Sequence, residues 1–160
     1  MRSASGALGI SRIVDTNLLL YLLDPRDAEK QERALSAVER CSVVPGTALT
    51  TQILAELAVG MTSRLQPPLT PAAARAQLDL YGRAFGVLPV TLIAVQEALR
   101  GVDMYQLAFW DALIWAVALI NNVPVILTED MPGGREQVEG VRYANPLSPS
   151  FELDRIGQDL

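Results

Sequence analysis

Two carboxylates lie at or shortly after the ends of short apolar runs of this chain. Asp15 comes immediately after Ile13 and Val14, and Asp130 comes three residues after the end of an apolar run at 125–127. Runs without polar residues are typical of strands that are buried on both faces of a parallel sheet. The carboxyl ends of strands in an open parallel sheet face the ligand crevice, so both acids are predicted to lie where a site normally forms.

Two further carboxylates lie on the apolar stripes of predicted helices. At helical spacing, the stripe around Asp111 contains Leu107, Ile114 and Ala118, and the stripe around Glu56 contains Leu49, Ile53, Leu57 and Gly60. The 3.6-residue period therefore turns Asp111 and Glu56 inward or into a cleft. An unpaired carboxylate in such a place costs several kcal/mol, and structural acids seldom occupy apolar stripes without a partner.

The composition offers few cations to neutralise these four acids. The 160 residues include 13 Lys and Arg against 18 Asp and Glu, which gives a net charge of −5, with no His and one Cys. The absence of His excludes mechanisms that need an imidazole, and also His-ligated zinc. Cys41 alone cannot form an internal disulfide or a thiolate zinc site. The one lysine, Lys30, is predicted to be exposed on a charged helix.

Oxygen ligands without His or Cys favour hard cations such as Mg²⁺ or Mn²⁺. Two such ions roughly 4 Å apart can activate a water and stabilise the leaving oxygen when a phosphodiester is cleaved. The four acids therefore predict metal-assisted phosphoester hydrolysis. A net negative charge argues against passive binding to nucleic acid, but bound dications would offset most of it and present a positive centre to phosphates.

Short apolar runs that alternate with amphipathic segments predict the elements that hold these acids. Strands are predicted at 10–14, 47–51, 86–89, 124–127 and, as an edge strand, 138–143; helices are predicted at 18–23, 27–40, 52–65, 71–83, 91–100 and 105–121. Pro71 at a first turn and Thr91 as an N-cap mark two of the helix starts. The alternation predicts an α/β fold, a three-layer α/β/α sandwich with a mainly parallel central sheet.

No repeat, low-complexity tract or interdomain linker interrupts the chain, so a single domain is predicted over residues 1–160. Within it we interpret residues 1–9 as a flexible leader and residues 148–160 as a C-terminal tail. The leader is too polar for a signal peptide. The most apolar stretch, 107–120, is shorter than the roughly 18 residues of a membrane span and contains Asp111. We therefore expect a cytoplasmic protein without a membrane partner.

Four segments carry the acids in a fixed order along the chain: DTNLLLY at 15–21, Glu56 after Thr51 and Gln52, FWDALI at 109–114 and LTEDM at 127–131. These segments resemble the motifs of PIN-domain ribonucleases, and most closely those of the VapC-type toxins. Their order and spacing agree from about Ile10 to Pro146, and the third and fourth motifs are specific. The leader before Ile10 is longer than is usual in this group. The Pro-rich loop at 66–71 also departs from it, so the resemblance does not predict which RNA is cleaved.

The resemblance implies a magnesium- or manganese-dependent endoribonuclease of PIN-like fold. The acids that would hold the metal match Asp15, Glu56, Asp111 and Asp130. The resemblance also implies that Asn17 orders the acidic cluster and that Thr128 hydrogen-bonds near the metal-bound water. Toxins of this group form homodimers and are silenced by a cognate antitoxin whose tail covers the active-site cleft. The implied partners are therefore an RNA substrate, an antitoxin protein and a second copy of the chain.

The same residues also admit structural interpretations. Asp15 could cap the following helical turn, and Asp130 could be a turn residue before Pro132. Four aromatic residues are predicted to lie in the core or a dimer interface rather than to stack on bases: Tyr105, Phe109, Trp110 and Trp115. Glu129 is predicted to be exposed because neighbours in an extended chain point in opposite directions. Four arginines are candidates for phosphate contacts but also fit a solvated surface: Arg64, Arg83, Arg100 and Arg135.

Two other functions remain open at this point. An aspartate-nucleophile phosphatase or receiver domain also places an Asp at the first strand end and needs Mg²⁺. Such folds require a lysine at the site, whereas Lys30 is predicted to be exposed. The second alternative is a catalytically silent PIN-like module that binds a protein partner through its apolar surface.

Overall fold

The structure, a computed structural model, describes residues 9–158. The predicted leader, apart from Gly9, and the last two residues of the predicted tail lie outside the described residues. Over 9–158 the strands are β1 (Arg12–Val14), β2 (Thr47–Thr50), β3 (Gly86–Leu88), β4 (Val125–Leu127), β5 (Gln137–Val138) and β6 (Val141–Ala144). The α-helices are α1 (Thr16–Tyr21), α2 (Ala28–Val43), α3 (Thr51–Ser63), α4 (Pro71–Ala84), α5 (Leu92–Tyr105) and α6 (Phe109–Ile120).

The strands form one sheet in the order β3-β2-β1-β4-β6-β5. All neighbouring pairs are parallel except β5 and β6, and α-helices connect β1 to β2, β2 to β3 and β3 to β4. The predicted α/β/α sandwich with a mainly parallel sheet is confirmed. The central strands β1 and β4 are buried throughout, as expected for strands covered on both faces. Strand β1 is not wholly apolar, because the buried Arg12 begins it and donates to the hydroxyl of Thr47.

The register of the two central strands brings their carboxyl ends to the same level. Val14 pairs with Leu127, and the amide of Asp15 donates a 2.9 Å hydrogen bond to the carbonyl oxygen of Leu127. Asp15 follows β1 and Thr128 follows β4, so the two residues lie side by side at the carboxyl ends of the central strands.

The predicted helix at 105–121 is wrong at its start. Helix α5 continues to Tyr105, and Gln106 ends it in the left-handed conformation (φ 57°). Helix α6 begins only at Phe109, so Asp111 lies in its first turn and Leu107 lies in the connection between the helices. Leu107 is buried in this connection, so the apolar pattern of the sequence continues through the break. Apolar periodicity alone therefore does not reveal where the helices end and begin.

The predicted edge strand at 138–143 is in fact a hairpin. The antiparallel strands β5 and β6 are joined at Glu139 and Gly140, where Glu139 has a left-handed backbone (φ 50°). Strand β6 lies inside the sheet next to β4, and β5 forms the edge. A two-residue turn with positive φ normally carries Asn, Asp or Gly first, so Glu139 gave no turn signal in the sequence.

Helix α6 is the most deeply buried helix of the fold, with every residue from Ala112 to Ala118 inside the core. It packs closely on α5 at Gly101, where an added Cβ would stand 2.7 Å from Cζ3 of Trp115. Among residues 9–158, no single helix is long and apolar enough to cross a membrane. Helices α5 and α6 would reach that length only together, and they are bent by 117° at their junction.

The predicted tail is tied to helix α2 over its described part. Arg33 donates to the carbonyl oxygens of Pro146, Ser148 and Phe151, and Arg40 forms an ion pair with Asp154. The segment also contains a short 3₁₀ helix, Leu153–Arg155. Residues 148–158 thus lie against the body of the fold.

Candidate active site at the carboxyl ends of the central strands

Asp15 links the end of β1 to the start of α1. Its Oδ1 accepts a 2.7 Å hydrogen bond from the amide of Thr16, and its Oδ2 accepts a 2.7 Å bond from the hydroxyl of Thr128. Burial, with a smaller effect of the negative charges of Glu56 and Asp111, raises the pKa of Asp15 to about 6 despite these bonds. Asp15 is therefore both the cap of α1 and a carboxylate held in an unfavourable place.

Thr128 and Asn17 join the two strand ends. Thr128 is 1 % exposed, and its hydroxyl accepts from the amide of Asp130 at 3.1 Å. The side-chain amide of Asn17 lies 3.1 Å from the Thr128 hydroxyl and 3.4 Å from one carboxylate oxygen of each acid, Asp15 and Asp130. Asn17, which was expected to order the acidic cluster, and Thr128 both lie between Asp15 and Asp130.

Glu56 lies on α3 and is held from two sides. One oxygen accepts from the hydroxyl of Thr16 at 3.0 Å, and the other accepts from the amide of Gln52 at 2.7 Å. Gln52 also donates to the carbonyl oxygen of Trp110 at 3.1 Å, which connects α3 to the start of α6. Sequence analysis missed Thr16 and Gln52. Gln52 could have been found from its position one helical turn before Glu56, whereas Thr16 gave no such signal.

Asp111 is half-buried in the first turn of α6. Among residues 9–158 it makes no hydrogen bond or ion pair with another side chain. Burial raises its pKa, and the charges of Asp130 and Glu56 raise it further. Asp111 thus lies within the electrostatic field of the other three acids, and the four predicted site residues share one region.

The donor set fits a hard divalent cation. Within residues 9–158, no three acidic or cysteine side chains form a group that could hold a metal ion. Like charges repel, and three of the acids instead turn towards neutral donors, as the hydrogen bonds of Thr16, Asn17 and Thr128 show. None of the four acids forms an ion pair with a described basic residue. Carboxylate oxygens without a basic partner, two of which belong to Asp15 and Asp111 with raised pKa values, are donors that suit Mg²⁺ or Mn²⁺.

A cavity of about 740 Å³ opens beside the cluster. It is lined by Asp15, Asn17, Glu56 and Asp130 and by apolar side chains that include Leu20, Val59, Val90 and Leu113. Asp111 is not part of the lining, although its helix neighbours are. Arg64 lies on the wall, alone among the four arginines named from the sequence. Arg100 is instead paired with Glu97 and Glu139.

Two side chains differ in exposure from the sequence-based expectation. Trp110 is 62 % exposed and lines the cavity, whereas the core placement holds for Trp115, which is fully buried and donates to the carbonyl oxygen of Val138. Glu129 was expected to be exposed, but its side chain is only 23 % exposed. It forms an ion pair with Lys30, whose local charged neighbours gave no sign of a partner 99 positions away.

A family model described as PIN domain matches residues 12–131 of the chain. The chain is similar in structure to VapC20 of Mycobacterium tuberculosis, described as a toxin that cleaves the sarcin-ricin loop, with 20 % identity and a TM-score of 0.61 over 75 % of this chain and 90 % of that one. It is also similar to a toxin-antitoxin complex from Klebsiella pneumoniae, with 20 % identity and a TM-score of 0.61 over 85 % and 98 %. A DNA-bound VapBC from Salmonella typhimurium gives 16 % identity and a TM-score of 0.60 over 86 % and 98 %. No curated protein sequence matches significantly.

Proposed function

Since the PIN-domain model covers most of its length, this chain belongs to the PIN-domain family, and we propose that it is a Mg²⁺- or Mn²⁺-dependent endoribonuclease that acts as a VapC-type toxin. The observation that carries the proposal is the convergence of Asp15, Glu56, Asp111 and Asp130 from four separate segments beside one cavity. A fold does not by itself specify a reaction, so the proposal rests on this site.

Each part of the site has a function in phosphodiester hydrolysis. Asp15, Glu56, Asp111 and Asp130 would hold the metal. When bound, a divalent cation supplies a water of lowered pKa and a positive charge for the leaving oxygen. Thr128 and Asn17 fix the carboxylates at the strand ends, and Thr16 fixes that of Glu56. Arg64 on the cavity wall is suited to contact a backbone phosphate of the RNA.

The phosphatase or receiver alternative is disfavoured by the position of Lys30. That mechanism requires a lysine among the acids, and Lys30 is instead bound to Glu129 and to the hydroxyl of Tyr21. A silent binding module does not require four unpaired acids in a region where burial raises the pKa of Asp15 to about 6. Acids with shifted pKa values are typical of functional sites, because catalysis and metal binding need pKa values suited to those tasks.

The proposed partners are an RNA substrate, a cognate antitoxin and a second copy of the chain in the cytoplasm. VapBC and toxin-antitoxin assemblies among the similar structures support the antitoxin. The homodimer is supported by exposed apolar side chains on α5: Leu92 is 73 % exposed and Ile93 is 66 % exposed. Side chains of this kind gathered on one helix are typical of a protein interface.

The test is cleavage of RNA by the purified chain with Mg²⁺ or Mn²⁺ and with EDTA. We expect cleavage that EDTA abolishes and that Asp111→Asn lowers by at least about a hundredfold, since one ligand of the ion is lost. Asp103→Asn is the matched control. Asp103 is exposed on α5, so this substitution makes the same chemical change outside the site. Cleavage that persists in EDTA, or equal effects of the two variants, would contradict the proposal. A protein that cleaves no RNA but binds a protein partner would support the binding module.

A further inference from the structure

Three side chains from distant parts of the chain meet next to the segment that carries Asp130. Lys30 forms an ion pair with one oxygen of Glu129 and donates a 3.1 Å hydrogen bond to the hydroxyl of Tyr21. The Tyr21 hydroxyl donates in turn to the other oxygen of Glu129 at 2.6 Å. Each polar group in this network, which we call the Glu129 clamp, has a partner within it.

The Glu129 clamp connects the three segments that surround the site. Tyr21 is the last residue of α1, whose N-cap is Asp15. Lys30 lies in the first turn of α2, and Glu129 lies in the segment after β4, between Thr128 and Asp130. The clamp therefore fixes the start of α2 and the segment after β4 on a helix that begins at the acidic cluster.

The segment that carries Asp130 has few other anchors. Asp130 is exposed, and its carboxylate is held by one long contact, 3.4 Å, to the amide of Asn17. Thr128 anchors the segment before Glu129, and the amide of Glu129 itself donates to Asn17 at 3.4 Å. The amide of Asp130 also donates to the hydroxyl of Thr128 at 3.1 Å. Without the clamp, these contacts would be the side-chain anchors left to Glu129 and Asp130.

We infer that Lys30, Glu129 and Tyr21 are positioning residues that set where the Asp130 carboxylate stands in the metal site. This inference rests on the proposed function, because it assigns a role towards a bound cation. Outer contacts that orient metal ligands typically change metal affinity or activity about 10- to 100-fold when they are removed. The clamp acts through the backbone of one ligand, so we expect the lower end of that range.

Charge alone would give a different result from positioning. Lys30→Met removes a positive charge near the site. If charge alone mattered, the weaker Coulomb repulsion would tighten the binding of a dication. Positioning predicts the reverse, because Asp130 loses its fixed place. Glu129→Gln weakens binding in both cases, so the sign of the Lys30→Met effect decides between them.

The experiment is a Mn²⁺ titration of the full chain in which free Mn²⁺ is followed by electron paramagnetic resonance. We expect the Mn²⁺ dissociation constant to rise about tenfold in Lys30→Met and in Glu129→Gln. Lys30→Arg should lie within about twofold of the unsubstituted protein because it retains the ion pair. In an Asp130→Asn background Lys30→Met should add less than about twofold, since the clamp acts through Asp130.

Arg40→Met is the matched control. Arg40 lies on the same helix as Lys30 and pairs with Asp154, away from the acidic cluster, so its loss should leave Mn²⁺ affinity unchanged. Unchanged or tighter Mn²⁺ binding by Lys30→Met would overturn the inference. An undiminished effect in the Asp130→Asn background, or an equal effect of Arg40→Met, would also overturn it. If the unsubstituted chain binds Mn²⁺ but cleaves no RNA, the proposed ribonuclease fails and these affinities still decide the inference. If it binds no Mn²⁺, both are overturned.

Discussion

The hydroxyl of Thr128 donates a 2.7 Å hydrogen bond to Oδ2 of Asp15 and so joins the carboxyl ends of β4 and β1. Thr128 is 1 % exposed, and its bond favours the charged form of Asp15. It also fixes the oxygen to which the amide of Asp130 donates. One hydroxyl thus favours the ionised form of Asp15 and connects Asp15 to the backbone of Asp130.

Thr128→Val keeps the shape of this side chain and removes its hydroxyl. We expect the pKa of Asp15 to rise above its value of about 6, because the bond that favours the carboxylate is lost. The acid limb of the pH profile of RNA cleavage should move to higher pH, by roughly one unit. Thr128→Ser, which retains the hydroxyl, should leave the limb in place. An identical shift in both variants would show that the hydroxyl is not responsible.

Gly101→Ala tests the close packing of α5 on α6. The added Cβ would meet the ring of Trp115, which is fully buried and anchored by its hydrogen bond to Val138. We expect a loss of about 1–3 kcal/mol in the free energy of unfolding, measured by urea denaturation. Gly82→Ala on α4 is the control, since its Cβ would meet nothing within 4 Å and should stabilise the helix by about 0.5–1 kcal/mol. Equal stability of the two variants would contradict the predicted clash.

The local patterns of the sequence predicted where the central strands β1 and β4 end. Continuous apolar runs and carboxylates among apolar neighbours are direct consequences of burial, so the environments of Asp15 and Glu56 could be anticipated. The α5–α6 junction could not, because Gln106 takes a left-handed conformation and the buried Leu107 continues the apolar pattern across the break. The pairing of Lys30 with Glu129 was also missed, since nothing in the local neighbours of either residue encodes a contact across 99 positions.

Thr16→Val should lower activity through Glu56. Thr16 is buried and its hydroxyl is one of two donors that hold the Glu56 carboxylate. We expect RNA cleavage to fall about tenfold and Mn²⁺ affinity to fall with it, while circular dichroism stays unchanged. Thr62→Val on the same helix as Glu56 is the control, because Thr62 is exposed and bonds only to backbone carbonyl oxygens. If Thr16→Val keeps full Mn²⁺ affinity, the hydroxyl does not orient Glu56.

Asp15→Asn should stabilise the metal-free protein at neutral pH. In the folded chain burial raises the pKa of Asp15 from 3.8 to about 6, so the folded state binds this proton more tightly than the unfolded state. The stability that this proton adds is fully present below pH 3.8, the pKa of the unfolded state, and is lost as the pH rises through about 6. At pH 7.5 the ionised Asp15 therefore destabilises the fold by up to about 3 kcal/mol. Asparagine is neutral and does not carry this penalty.

The measurement is thermal unfolding of both proteins in EDTA between pH 4 and pH 7.5. We expect Asp15→Asn to have the higher Tm at pH 7.5 and the two Tm values to converge as the pH approaches 4, because Asp15 is then protonated. Mn²⁺ should raise the Tm of the unsubstituted protein far more than that of Asp15→Asn, since an ion that binds only the folded state adds its binding free energy to stability. A Tm difference that is independent of pH would show that the ionisation of Asp15 is not its cause.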